Sequence, residues 1–420
     1  MSINSIRLYC YFYIIFIIFI ILTAVQPVYA QEENIESLYY RGVSLLENEK
    51  DFAAALDIFK EILEIKPNHA EAHYQTAEIY RQTNLPEKAE IYYQNAINLK
   101  SDYFSAYYHL GLVQLTLKHY QDAVEAFKQA IRLKPDFSDA HYGMGTAYLE
   151  TGNFDRAIES FQQALVLNPE DFLSHYGLGV SYEQVGEYDK AIQSLNQVLQ
   201  LKPDYGEAFY ELGLIYKRLK QSQDAINALE KAAHYLPSKA DQIYYQIGML
   251  HRKAQDYDQA ITFLGKATEQ NAQFADAYYD LGWLYTQKEE FEKSVEAYQK
   301  VIAINPDYTY AYYNLGWAYG EIEQYQKAVE AFKKAIKQTP DDADSHYGLA
   351  WAYSQLEQFP EAIESYQETI RINPDYSYAH YGLGMAYLVQ GKRNLALEEY
   401  KILKDLNQTI ADQLFDQIYQ

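Results

Sequence analysis

The chain has 420 residues, with 58 acidic and 35 basic side chains and a formal net charge of −23 at pH 7. Nucleic acids and anionic membrane surfaces repel so acidic a protein, which argues against both as general partners. The only cysteine is Cys10, in an apolar stretch near the N-terminus. The rest of the chain therefore has no disulfide, thiolate metal site or cysteine nucleophile.

The first 30 residues predict an export signal. Arg7 precedes an unbroken apolar run at residues 9–25, and Val28-Tyr29-Ala30 supplies small residues where a signal peptidase cleaves. We expect a signal peptide at 1–30, a short linker at 31–34, and a mature chain that is periplasmic or secreted. The apolar run, about 17 residues, is also barely long enough to span a bilayer. The alternative is an uncleaved membrane anchor that leaves the remaining chain outside the cytoplasm.

Residues 35–408 repeat one pattern eleven times at a period of 34 residues. In the copy from Ala311 to Pro340, Leu315 and Gly316 lie on one helical face, and Ala328 and Phe332 lie on another. The small residues let two helices approach closely, and the proline ends the second helix. The pattern predicts antiparallel helix pairs that each complete the core of the next.

This pattern closely resembles that of the tetratricopeptide repeat family. The family has Leu-Gly, an aromatic, a small residue, a second aromatic and a proline, which here are Leu315-Gly316, Tyr319, Ala328, Phe332 and Pro340. The resemblance implies an all-α fold, a right-handed α-solenoid of about eleven helix-turn-helix repeats.

A capping helix is predicted at residues 409–420, after the eleventh copy. An apolar stripe runs through this segment: Ala411, Leu414, Phe415 and Ile418. Two copies, before Phe52 and after Pro237, are one residue longer than the others, and we expect distorted turns there.

The sequence contains no phosphate-binding loop, nucleophile elbow or zinc-binding helix motif. We therefore predict a non-enzymatic protein without cofactor or metal. One repeat position carries a recurring histidine: His73, His141, His175, His346 and His380. Residues one repeat apart are separated by a helix width, so we expect these histidines to pack rather than to share a metal ion.

The residue after this position is a tyrosine in every copy, and the position four residues later holds all three tryptophans of the chain. In the family, both positions line the concave groove. We expect the partner to contact aromatic residues of repeats 7 to 10: Tyr245, Tyr279, Trp283, Tyr313, Trp317, Tyr347 and Trp351. Tryptophan and tyrosine are enriched at binding hot spots, which favours this interpretation over packing between repeats. We further expect the rings to form one continuous strip away from the core.

Four cations stand upstream of the tryptophans, as Lys217-Arg218 and Arg252-Lys253. They end the first helices of repeats 6 and 7, at positions that face or rim the groove in the family. They are candidates for binding a carboxylate or phosphate group. The alternative is that they only complement helix dipoles, which favour cations at helix C-termini.

Two hypotheses on function remain. The first is an exported scaffold that binds an extended polypeptide, by protein–protein contact, in an aromatic-lined groove. The alternative is a cell-envelope factor for polysaccharide export or assembly that contacts glycan through the same aromatic residues.

Overall fold

The computed structural model describes residues 34–419, and every regular element in that range is helical. The predicted all-α solenoid of successive helix pairs is thereby confirmed. Within this range, none of the helices combines the length and the apolar character needed to cross a membrane. The predicted signal peptide, its apolar run and Cys10 lie outside the described residues.

Odd-numbered helices open each repeat, even-numbered helices close it, and the last helix follows the eleventh repeat. Helical residues 34–44 form α1, which continues into a π-helical turn at Leu45–Glu49. The others are α2 Phe52–Ile65, α3 Ala70–Gln82, α4 Pro86–Leu99, α5 Phe104–Thr116, α6 Tyr120–Leu133, α7 Ser138–Glu150, α8 Phe154–Leu167, α9 Phe172–Gln184, α10 Tyr188–Leu201, α11 Gly206–Arg218, α12 Ser222–Tyr235, α13 Ala240–Lys253, α14 Tyr257–Gln270, α15 Ala275–Gln287, α16 Phe291–Ile304, α17 Ala311–Glu321, α18 Tyr325–Gln338, α19 Ala343–Gln355, α20 Phe359–Ile372, α21 Ser377–Val389, α22 Arg393–Leu406 and α23 Gln408–Tyr419. The chain divides into two compact units, one up to Glu211 and one from Leu212 onward.

The small residues of the pattern make room for a ring of the closing helix. In repeat 9, Phe332 of α18 is fully buried. A Cβ on Gly316 of α17 would lie 2.8 Å from this ring, and a Cβ on Gly348 of α19 would come closer still. The ring thus lies between two glycines from consecutive repeats. Burying a phenylalanine contributes about 2–3 kcal/mol, so each such ring stabilises a joint between neighbours.

The turn inside each repeat depends on one residue in the left-handed region. Glu323 has φ 58°, and the amide of the next residue, Gln324, donates to the Tyr319 carbonyl at 2.9 Å. This arrangement satisfies carbonyls at the end of the opening helix. Only three of the equivalent residues are glycine: Gly152, Gly186 and Gly391.

The recurring histidines fix the turn between repeats, which refines their interpretation as packing residues. His346 Nε2 donates to the Pro340 carbonyl at 2.9 Å. The same bond joins His73 to Pro67, His141 to Pro135, His175 to Pro169 and His380 to Pro374. Among residues 34–419, no group of three or more histidine, aspartate or glutamate side chains is arranged to hold a metal ion.

The two long copies are accommodated by local changes of helix type. The first has the π-helical turn at Leu45–Glu49, and the other has a 3-10 turn at Pro237–Lys239. Both agree with the distorted turns expected at these points.

Helix α23 packs on the eleventh repeat. It buries Leu414 and Ile418, and Leu414 fills the space beside Gly384 that an aromatic ring or a leucine of the closing helix fills beside the equivalent glycine of other repeats. Phe415 is 39% exposed, and its ring centroid lies 5.3 Å from that of Tyr400 in α22 and 4.5 Å from that of Tyr419. Phe415 is therefore a partly exposed member of the predicted apolar stripe, in contact with α22.

Candidate binding surface

The tyrosines predicted to face the groove tie consecutive repeats together. The Tyr279 hydroxyl accepts a bond from Asn314 Nδ2 of the next repeat at 2.9 Å, and its ring lies 5.0 Å from that of Tyr308. Tyr347 stacks on Tyr376 at 5.1 Å in the same way. Burial raises the pKa of Tyr347 to about 12, so its hydroxyl keeps its proton. These rings are half-buried, and packing between repeats uses part of each.

The sequence analysis missed the second aromatic of each such pair. Tyr308 and Tyr376 lie just before the next opening helix, and their hydroxyls donate to Asp276 at 2.6 Å and to Asp344 at 2.8 Å. Both tyrosines follow a Pro-Asp pair, a signal that the sequence contains.

Trp317 and Trp351 form a packed pair. Their ring centroids are 5.1 Å apart at an interplanar angle of 37°, and Trp317 also meets the buried Phe332 edge-on at 5.4 Å. Both tryptophans are half-buried and pack against the core of the second unit. The expectation that this position lies away from the core was wrong, because the position adjoins the ring of the closing helix. Part of each indole remains accessible.

A glycine makes room for this pair. A Cβ on Gly320 of α17 would clash with the six-membered ring of Trp351, which therefore lies directly against the helix backbone. Tyr325 at the start of α18 meets the same indole edge-on at 5.8 Å. The orientation of Trp351 is thus fixed from two sides.

Trp283 stands apart from the other two tryptophans. Its ring lies 5.1 Å from the Arg252 guanidinium and 6.0 Å from the Tyr257 ring. Within residues 34–419, no ring contact joins it to Trp317. The expected continuous strip is therefore wrong in detail, because Trp283 packs against Arg252 and Tyr257 and not against Trp317. We call the three tryptophans with Tyr279, Tyr313 and Tyr347 the tryptophan surface.

Arg252 is held by a buried acid that the sequence analysis missed. Asp280, 6% exposed, forms an ion pair with Arg252 and accepts a hydrogen bond from the Tyr245 hydroxyl at 2.8 Å. Burial raises the pKa of Asp280, while Tyr245 and Arg252 partly offset that rise. Among the four predicted cations, Arg252 is thus half-buried and ion-paired, whereas the side chains of Lys217, Arg218 and Lys253 are exposed.

A cleft of about 680 Å³ lies beside these residues in the second unit. Four of its lining side chains are cationic: Lys217, Lys220, Arg252 and Lys253. The others are mainly small or apolar: Ser222, Gln246, Met249, Leu250 and Ala254. We call this site the cation cleft.

Two further tyrosines are accessible near the tryptophan surface. Tyr310, 56% exposed, precedes α17, and Tyr378, 61% exposed, lies in the first turn of α21. Tyr310 has φ 65°, which is unusual for a bulky side chain.

Comparison with known proteins gives matches along nearly the whole array. Models described as tetratricopeptide repeats match residues 108–172, 142–206, 176–240, 313–377 and 349–408, and others match 47–111 and 241–274. A TPR repeat model matches 282–322. No curated protein matches the sequence.

Solved structures also resemble the chain. YrrB, described as a TPR protein with an unusual peptide-binding site, is 25% identical, with a TM-score of 0.39, over 47% of this chain and 97% of its own. MamA from residue 41 to its end, from Desulfovibrio magneticus RS-1, is 23% identical, with a TM-score of 0.39, over 41% and 96%. Yeast Tom70 is 17% identical, with a TM-score of 0.34, over 93% and 96%.

Proposed function

Since the chain belongs to the tetratricopeptide repeat family, we propose that it is a non-enzymatic scaffold that binds an extended partner polypeptide on the tryptophan surface. The observation that carries this proposal is the accessible Trp317–Trp351 pair, held rigidly by Phe332 and by the backbone at Gly320. Rigid aromatic side chains lose little conformational entropy on binding, which makes them effective anchors.

The polar groups beside the rings suit an extended backbone. Asn314, Tyr279 and Tyr347 lie along consecutive opening helices and are half-buried rather than fully enclosed. Peptide groups of a bound chain need hydrogen-bond partners when they leave water, and amide and hydroxyl groups supply them. The Trp317–Trp351 pair would contact an apolar side chain of the partner, and the neighbouring amide and hydroxyl groups would form hydrogen bonds with its backbone.

The proposal is tested by selecting binders from a displayed random dodecapeptide library on the purified chain. The affinity of a selected peptide is then measured against substituted proteins. Trp317→Ala should weaken binding by about 2 kcal/mol, close to thirtyfold, as expected of a central aromatic anchor. Leu112→Ala is the matched control, because Leu112 occupies the same repeat position in repeat 3 and should leave the affinity unchanged.

Equal affinities of the two variants for the peptide would contradict the proposed site. The glycan alternative is tested on the same proteins with an array of bacterial polysaccharides. Glycan binding that Trp317→Ala abolishes, together with failure to select any peptide, would replace the polypeptide with a glycan as the ligand.

We also propose that the protein acts outside the cytoplasm, on the basis of the apolar run at residues 9–25 and the Val28-Tyr29-Ala30 site. Mass spectrometry of the protein recovered from the cell envelope tests this directly. An N-terminus at Gln31 is the expected result. An intact N-terminus in a membrane fraction would instead support the anchored form.

A further inference from the structure

The cation cleft collects positive charge in a chain that carries an excess of 23 negative charges. Within residues 34–419, Lys217, Lys220 and Lys253 form no ion pair and no side-chain hydrogen bond. Some lysines elsewhere do pair with carboxylates, as Lys100 does with Glu71, Lys128 with Glu125, Lys190 with Glu187 and Lys293 with Glu290. The three ammonium groups around the cleft repel one another, and an anionic ligand would remove that repulsion.

The lining of the cleft also includes apolar side chains. They are Met249 and Leu250 of α13, together with Ala254. A site for a free, hydrated anion needs no apolar lining, because such an anion keeps its water shell and stays in the solvent. The arrangement therefore fits a ligand that has carboxylates on an apolar or polypeptide body, not a free inorganic ion.

Arg252 connects the cleft to the tryptophan surface. It lines the cleft, it is anchored by Asp280, and its guanidinium covers the Trp283 ring at 5.1 Å. A chain that lies on Trp283 therefore reaches the lysines without leaving the second unit. The lysines stand at the ends of α11 and α13 and in the turn after α11, so several carboxylates along an extended chain match them better than one.

We infer that the cation cleft binds an acidic segment of the partner polypeptide, a stretch with at least two carboxylate side chains. This segment adjoins the part of the partner that lies on the tryptophan surface. The inference rests on the proposed function. It adds that the partner carries negative charge and that this charge lies on the Trp283 side of the tryptophan surface.

The dodecapeptide selection tests this inference through the composition of the bound pool. The cleft variant carries Lys217→Gln, Lys220→Gln and Lys253→Gln. The control variant carries Lys300→Gln, Lys337→Gln and Lys401→Gln, which removes the same charge from exposed lysines elsewhere in the second unit. Exposed glutamines preserve the helices, which circular dichroism verifies for both proteins.

The unsubstituted chain and the control variant should enrich aspartate and glutamate, and the cleft variant should lose that enrichment. A selected acidic peptide should bind the cleft variant about tenfold more weakly, since three exposed ion pairs each contribute about 0.5 kcal/mol. An acidic pool that persists with the cleft variant would overturn the inference. A pool with aromatic or apolar residues but no acidic enrichment would overturn it too and leave polypeptide binding intact, whereas failure to select any peptide would contradict the proposed function itself.

Discussion

Glu78 in the first unit and Trp317 in the second occupy the same position of their repeats, and they use it differently. Glu78 is buried and receives bonds from Arg81 Nη2 at 2.7 Å, from His109 Nδ1 at 2.9 Å, and from the Tyr93 hydroxyl. Trp317 is only half-buried, and it packs against the rings of Phe332 and Trp351. The repeated backbone alone therefore does not create a binding surface. At this position of repeat 2, the Glu78 side chain is used entirely in contacts within the protein.

The largest expected effect comes from breaking the internal cluster. Glu78→Ala should lower the free energy of unfolding by about 3 kcal/mol, because it leaves Arg81 and His109 without their buried acceptor. Chemical denaturation with hydrogen exchange checks both the size and the place of the loss. Exchange should rise in repeats 2 and 3, while affinity for a selected peptide stays unchanged. A loss of affinity equal to that of Trp317→Ala would mean that the first unit also contributes to the site.

Trp317→Ala should cost about 2 kcal/mol of stability in addition to its effect on binding, because it removes a half-buried ring from Phe332 and Trp351. Trp317→Leu refills part of the space and should recover much of the stability but little of the affinity. Thermal and chemical unfolding of the two variants measures the effect on stability, and peptide titration measures the effect on affinity. Full recovery of binding by leucine would show that bulk, and not the aromatic ring, is what the partner needs.

The helix pairs were predictable because the 34-residue period and the small residues that let the helices approach can both be recognised in the local sequence. The environment of the tryptophans was not predictable from the sequence, because it depends on residues of neighbouring repeats. Arg252 covers Trp283 only because Asp280 holds it, and Gly320 exposes the backbone that Trp351 touches. The pattern of a single helix could not predict which residues of neighbouring repeats would pack against these rings.

A histidine distinguishes the eleventh repeat in its response to pH. Both ring nitrogens of buried His380 face acceptors, Glu399 at 2.6 Å and the Pro374 carbonyl at 2.9 Å. Burial alone would lower the pKa of His380, but the bond with Glu399 raises it above its ordinary value of 6.5. The bond between protonated His380 and Glu399 stabilises the folded state by about 1.5 kcal/mol, as a hydrogen bond to a charged group does. This contribution is complete below pH 6.5 and is lost as the pH rises through the raised pKa of His380.

Hydrogen exchange in α21 and α22 across this pH range, corrected for intrinsic rates, measures the effect. Glu399→Gln should abolish it. At the same position of repeat 10, His346 bonds to the Pro340 carbonyl, and no carboxylate in residues 34–419 forms an ion pair with it, so α19 and α20 provide the comparison. Equal dependence in both repeats would contradict the assignment to Glu399.

The smallest expected effect concerns the turns within the repeats. Glu323→Gly, at φ 58°, should raise the free energy of unfolding by a few tenths of a kcal/mol to about 1 kcal/mol, because glycine adopts the left-handed region without strain. Gly152→Ala, at φ 73° in the first unit, should produce the opposite change. Denaturant unfolding of both proteins checks the signs, and the same sign in both would contradict the role given to this turn residue.

The central claim is that the partner covers the tryptophan surface, and the chain has a convenient property for testing it. Its only three tryptophans are Trp283, Trp317 and Trp351, so every indole N–H signal in a heteronuclear NMR spectrum reports on this surface. Titration with a selected peptide should shift the signals of Trp317 and Trp351 at the stoichiometry of binding, with a further shift at Trp283 for an acidic peptide. Saturable binding that leaves all three indole signals unchanged would contradict the account.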